Sequence, residues 1–171
     1  NGQSNISGKV LNAVDISTLK NNNKVTATDI VLDNDLTDWS NVTQRVSTVQ
    51  GVNLWKVAIS SDYSTLYFCY EGMSSSEWDY NYAGQNKINI QYKNGVNDAS
   101  SAIQFAAWSG TAIAKNAWYG DITGAEAVTL NEAHGNTQGP YVLESAIPMD
   151  FFSNSDFTIT FAGTTVDIKD I

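Results

Sequence analysis

V-N-L-W-K-V-A-I-S-S-D-Y-S-T-L-Y-F-C-Y-E-G, residues 52 to 72, alternates twice and turns once. Trp55, Val57 and Ile59 fall on one side of the first run and Leu54, Lys56 and Ala58 on the other, which is the period of a strand. Leu66, Phe68 and Tyr70 alternate in the same way with Tyr67, Cys69 and Glu71. Ser60-Ser61-Asp62-Tyr63-Ser64 between the runs is rich in turn formers. The stretch predicts a β-hairpin.

Working outward, short alternating runs recur along the chain. Val25 to Leu32 reads as a first strand, and Asp33 to Ser40 as a turn carrying three carboxylates and an indole, Trp39, placed to plug one end of the core. Lys87 to Tyr92 is a strand before the turn signal Asn94-Gly95. Ile103 to Trp108 and Thr111 to Trp118 flank Ser109-Gly110 as a second hairpin. Val128 to Leu130 and Tyr141 to Ile147 follow, with Pro148 ending the latter because it cannot donate to a ladder. Met149 to Phe152 reads as one helical turn, and Phe157 to Phe161 with Thr164 to Ile168 closes the chain as a hairpin around Ala162-Gly163. No segment sustains a helical apolar stripe. Many short strands with Gly and Asn turns predict an all-β fold, an antiparallel β-sandwich of two packed sheets, jelly-roll-like.

Composition narrows the function classes. The 171 residues suffice for one domain with a proper core. Residues 1–24, polar and containing Asn21-Asn22-Asn23, read as a linker or loosely attached N-terminal strand, and 25–171 as the domain. Nine basic against eighteen acidic residues give a net charge of −9, a field that repels phosphate backbones and anionic lipid. Neither nucleic acid nor membrane is an expected partner. No run reaches the roughly 18 apolar residues of a membrane span, and the Asn1 start carries no basic and apolar signal segment, so a removed leader or a larger parent protein is expected. The lone cysteine, Cys69, excludes an intrachain disulfide and reads as an apolar filler in the sheet.

Leu32-Asp33-Asn34-Asp35-Leu36-Thr37-Asp38-Trp39, then Trp55-Lys56-Val57-Ala58 leading to Leu66-Tyr67-Phe68, and later Tyr141-Val142-Leu143-Glu144-Ser145-Ala146-Ile147-Pro148, resembles the family 9-like carbohydrate-binding modules and related β-sandwich domains of secreted bacterial proteins. The resemblance covers roughly residues 28 to 168. Asn34 stands where glycine is common, and Asn tolerates the left-handed backbone nearly as well. The resemblance implies a non-catalytic module of a larger secreted or cell-surface bacterial protein, attached to a glycoside hydrolase or scaffold. Calcium sites occur in that family, so Asp33, Asp35 and Asp38 are candidates for a structural Ca²⁺, with turn capping as the competing reading. No cofactor is required.

A sugar site needs aromatic plates flanked by polar groups. Trp78, Tyr80 and Tyr82 cluster in the long polar stretch 73–86, and Trp108, Trp118 and Tyr119 lie near Asp121 at the ends of the second hairpin. His134, in a polar loop, is able to hydrogen-bond a ligand, although a solvated histidine is the plainer reading. The expected ligand is a polysaccharide, α-glucan such as starch first and plant cell-wall β-glycans second. A glycosidase needs two carboxyls facing each other across the substrate. The chain shows no such frame, no G-x-S-x-G and no H-E-x-x-H, so no enzyme is expected. A protein-binding adhesion or scaffold domain is the third reading, because exposed aromatics also suit protein interfaces.

Overall fold

Alternating runs such as 52–72 predict paired strands, and the computed structural model has them. It describes residues 29–47, 53–72, 87–92, 101–106, 113–116, 120–130, 141–152 and 156–171. Among these are eleven strands: β1 (Gln44–Ser47), β2 (Asn53–Ile59), β3 (Thr65–Gly72), β4 (Lys87–Tyr92), β5 (Ser101–Ala106), β6 (Ile113–Asn116), β7 (Gly120–Asp121), β8 (Glu126–Leu130), β9 (Tyr141–Pro148), β10 (Phe157–Phe161) and β11 (Thr164–Asp167). Five form one sheet in the order β1-β2-β3-β9-β8, and six form the other in the order β11-β10-β4-β5-β6-β7. Every pairing is antiparallel. The fold is an all-β sandwich.

The quoted hairpin is the centre of the five-stranded sheet, with Trp55 opposite Tyr70 and Val57 opposite Phe68. Trp55, Val57, Ile59, Leu66, Phe68 and Tyr70 point between the sheets and meet Ile88, Ile90, Ile103, Phe105, Phe157, Ile159 and Phe161 of the other. Phe161 is the hub of this core. Its ring centroid lies 5.0 Å from Phe68, 4.9 Å from Tyr70 and 5.8 Å from Trp55, within the range where edge-to-face pairs add to burial. The sheets are also tied at one edge. Ser47 Oγ lies 3.1 Å from the Phe161 carbonyl and 2.8 Å from Thr164 Oγ1, and accepts the Trp55 indole N–H at 2.9 Å.

The opposite face of β2 and β3 is covered by the segment before β1. Ile30, Trp39 and Val42 pack with Ala58, Tyr67 and Cys69 in a second, smaller core, flanked by Leu32, Leu36 and Ala146. Trp39, expected at one end of the main core, is instead wholly buried on the outer face of the five-stranded sheet. The strand expected over 25–32 is also corrected: residues 29–32 have no strand structure, and 25–28 lie outside the described residues. Carboxylates take the backbone N–H groups there, Val31 donating to Asp38 Oδ2 at 2.6 Å and Asp33 to Glu144 Oε2 at 2.9 Å. A peptide N–H that has found a side-chain acceptor has no need of a ladder. Asn34 has φ of +70°, the left-handed geometry read from its place in the motif. Leu36–Trp39 then forms a 3-10 turn whose first N–H groups are capped by Asp35, which accepts from Thr37 N at 3.0 Å.

Candidate functional site

The two outer faces of the sandwich differ in chemistry. On the five-stranded sheet the segment 30–42 supplies a lid, and its anchor is Glu144 of β9. This carboxylate is wholly buried, and everything that bonds it is an N–H. The Trp39 indole donates to Oε1 at 2.7 Å, and the Asp33 and Asn34 backbones donate to Oε2. Burial pushes the Glu144 carboxyl above its ordinary range, the three donors pull it back down, and nearby Asp38 pushes it up again. Lys56 secures the same lid by donating to the Trp39 carbonyl at 2.8 Å. A buried acid with a raised pKa is what a glycosidase would need. Here it lies beneath an indole, with its partners already in place.

The three aspartates of the motif do separate jobs. Asp33 Oδ1 accepts from Asp35 N at 2.9 Å, Asp35 caps the 3-10 turn, and Asp38 holds Val31 N. Asn34 Oδ1 and Asp38 Oδ1 are enclosed without a hydrogen-bond partner. Among the described residues no three Asp, Glu, His or Cys side chains are arranged to hold a metal ion. Capping hydrogen bonds hold the conformation of this turn. Cys69 is buried in the same small core, and its desolvation pushes the thiol pKa upward; a thiol in that state is a packing group.

The outer face of the six-stranded sheet is built differently. Phe157, Ile159 and Phe161 of β10 face the core, so Thr158 and Thr160 face outward, and Asn89 and Gln91 of β4 do the same between Ile88 and Ile90. Register lines these residues up across the strands. Thr165, Thr160, Asn89 and Ala102 form one rank, and Asp167, Thr158 and Gln91 the next. A third runs from the Lys87 position through Gln104 and the Lys115 position to Asp121 at the sheet edge. Asn89, Gln91, Thr165 and Asp121 are exposed, and Thr158, Thr160 and Gln104 half-buried. The Thr160 and Thr165 hydroxyls lie 2.7 Å apart, sharing one hydrogen bond and leaving a second proton to donate. Asp167 is occupied as the cap of the final 3-10 turn, accepting from Lys169 N at 3.0 Å.

Of the predicted sugar-contacting residues, Trp78, Tyr80, Tyr82, Trp108, Trp118, Tyr119 and His134 lie outside the described residues. Their anchor points are described. Gly72 is paired with Asn53 and Tyr141, and Ser47 with Asn53, so these four mark one end of the five-stranded sheet. Through Ser47 that end meets Phe161 and Thr164, where β10 turns into β11. Thr160 opposite Asn89, Lys87 opposite Gln104, and Ala106 opposite Ile113 put the ends of β4, β5 and β6 there as well. The connections 73–86, 107–112 and 131–140 therefore all leave and return at one end of the sandwich. Trp78, Tyr80, Tyr82, Trp108 and His134 belong to that group. Trp118 and Tyr119 do not, because β6 runs from Ile113 at this end toward Asn116, and the chain resumes at Gly120 opposite Asn116. Asp121, expected beside them, is exposed on the short edge strand β7.

The far end is closed by its own turn. Asp62 Oδ1 accepts from the Ser60 and Ser64 hydroxyls at 2.6 and 2.7 Å and from Ser64 N at 3.0 Å, while Met149 N reaches Ser64 O at 2.8 Å. The outward Thr, Asn and Gln ranks were the part that sequence reasoning missed. The alternation in Lys87 to Tyr92 and Phe157 to Phe161 already placed their polar members on one face, and adjacency of the two strands was the missing fact.

Compared with known proteins, the chain matches no family model and no curated relative.

Proposed function

We propose that the domain is a non-catalytic polysaccharide-binding module, gripping its ligand at the end of the sandwich from which segments 73–86, 107–112 and 131–140 spring. The observation that carries the reading is the convergence of those three connections, anchored at Gly72, Lys87, Ala106, Ile113 and Tyr141, on one end of a rigid two-sheet body. Loops carried on a rigid scaffold are the usual place for recognition. Aromatic and polar residues in them suit the apolar face and hydroxyl rim of a sugar. Trp39 and Trp55 are consumed wholly by packing; Trp78, Trp108 and Trp118 are the other three indoles of the sequence. The resemblance of the Leu32 to Trp39 motif to family 9-like modules points the same way, toward a part of a larger secreted or cell-surface protein.

Catalysis is the poorer reading, because the acid best suited by burial, Glu144, is closed under Trp39. Retardation of the intact domain in gels containing soluble starch, xylan or xyloglucan tests the proposal. We expect retardation with at least one neutral glycan, relieved by its oligosaccharides and reduced about threefold to tenfold in affinity by Trp78→Ala or Trp108→Ala, the loss of one aromatic contact each. Trp118→Ala, anchored elsewhere, should bind as the unaltered domain does. Migration unaffected by every polysaccharide would overturn the reading and leave the protein-binding adhesion domain in its place.

A further inference from the structure

We infer that the segment 30–42 is a hinged strap, which lifts as a unit off an intact sandwich and is held down by Glu144 as its catch. The inference is independent of the polysaccharide reading, and none of the long connections enters it.

The way the strap is fastened carries the argument. Among the described residues, every hydrogen bond between it and the sheet beneath is made by one of two side chains. Glu144 takes the Trp39 indole and the Asp33 and Asn34 backbones, and Lys56 donates to the Trp39 carbonyl. The strap's other hydrogen bonds stay inside it: Val31 N donates to Asp38, Asp35 N to Asp33 and Thr37 N to Asp35, while Ser40 N and Val42 N reach the carbonyls of Thr37 and Trp39. A segment bonded within itself keeps its shape when it leaves, and its leaving breaks no strand pairing. The joint is equally defined. Pairing of β1 with β2 starts at Gln44 opposite Lys56, the last bond inside the strap ends at Val42, and Thr43 lies exposed between them.

Packing divides at the same place. The main core lies between the sheets and contains none of the strap's residues. Ile30, Leu32, Leu36, Trp39 and Val42 meet Ala58, Tyr67, Cys69 and Ala146 on the other face of β2, β3 and β9. Three of those four sheet residues are small, so the sheet bares little apolar area when the strap lifts. The Glu144 carboxylate and its three N–H donors return to water together, and none is left buried and unpaired. Few shared apolar contacts and no shared ladder are what let a segment open below the free energy of global unfolding.

Cys69 is the single cysteine of the chain and is buried in the small core that the strap covers, so its reaction with dithionitrobenzoate reports the strap's opening. The test measures that rate for the whole chain at one pH, in increasing urea below the unfolding transition, at reagent concentrations where the rate stays proportional to reagent and so reads the open population. Two variants are compared with the unaltered domain. Trp39→Phe strips Glu144 Oε1 of its donor and leaves the charges beside Cys69 as they were. Ile159→Val weakens only the main core, in which Ile159 is wholly buried. We expect labelling of the unaltered domain to rise far less steeply with urea than global unfolding does, because a lifting strap exposes little surface. Trp39→Phe should fold and label about fivefold faster or more, having lost a buried hydrogen bond of the catch. Ile159→Val should label at the unaltered rate. Labelling that follows the global urea slope, or that quickens by about threefold to tenfold in Ile159→Val as a truncated core would make it, overturns the strap. An unchanged rate in Trp39→Phe, or a Trp39→Phe chain whose sandwich is unfolded, overturns it as well.

Discussion

Glu144 is wholly buried and accepts from three N–H donors, so its two oxygens cannot be exchanged for an amide without loss. In Glu144→Gln the new NH₂ must face either the Trp39 indole or the Asp33 and Asn34 backbone, donor against donor. We expect a cost of about 1–3 kcal/mol, the usual penalty for an unmade buried hydrogen bond, read as a lower denaturation midpoint in urea. The pH dependence has a definite sign. Burial raises the folded-state pKa of Glu144, so its favourable contribution is complete below the unfolded carboxyl pKa and is lost as pH rises through the folded one. The stability gap between the unaltered domain and Glu144→Gln should widen in the native protein's favour as pH falls from neutral into that window. Asp62 has the opposite sign. Hydrogen bonds from Ser60 and Ser64 lower its pKa, so the stabilisation it gives is present above the unfolded carboxyl pKa and fades as pH falls through the folded value. Asp62→Asn should flatten the acid limb of the unfolding curve. Asn34 was legible in advance from its motif position, since an amide side chain is among the few that tolerate the left-handed backbone. The acceptor that holds its peptide, Glu144, was not, because it lies 110 residues away in sequence.

The β10–β11 hairpin turns on Ala162 and Gly163, with φ of +47° and +84°. Two consecutive positive angles suit the primed turns that match strand twist, and alanine is the unsuitable member. Ala162→Gly should stabilise the domain by up to about 1 kcal/mol, as relief of left-handed strain at a non-glycine residue, and thermal melting would show it. Ser47 is the counterpart on the sheet edge. Ser47→Ala strips the Trp55 indole of its acceptor and unclips Phe161 from β1, and a loss of about 1–3 kcal/mol is expected. Strand existence was readable from alternation: the hairpins expected at 52–72 and 157–168 occur with small changes at their ends. β1 escaped because Gln44-Arg45-Val46-Ser47 alternates weakly, and it is a strand through pairing with β2. The expected strand ending at Leu32 failed in its described part for the converse reason, side-chain carboxylates having taken the backbone donors.

At the scale of the molecule, two layers and the main core between them follow from composition and period, because apolar sheet faces have to be covered. Which outer face is covered does not follow from them. That depended on the segment 30–42 lying back on β2, β3 and β9, a contact set by Trp39 and Glu144 together. Among the described residues, the result is a body with one lidded face, one polar face, one end with its turn held around Asp62 and one end anchoring the long connections. The sugar-chain site proposed above lies at that anchoring end, with the aromatic residues of 73–86 and 107–112. Isothermal titration of the intact domain with a neutral soluble polysaccharide, repeated with Trp78→Ala and Trp108→Ala variants checked for an unchanged melting temperature, tests this most directly. The account predicts saturable binding that weakens in both variants; heat of binding equal in all three proteins, or none in any, would contradict it.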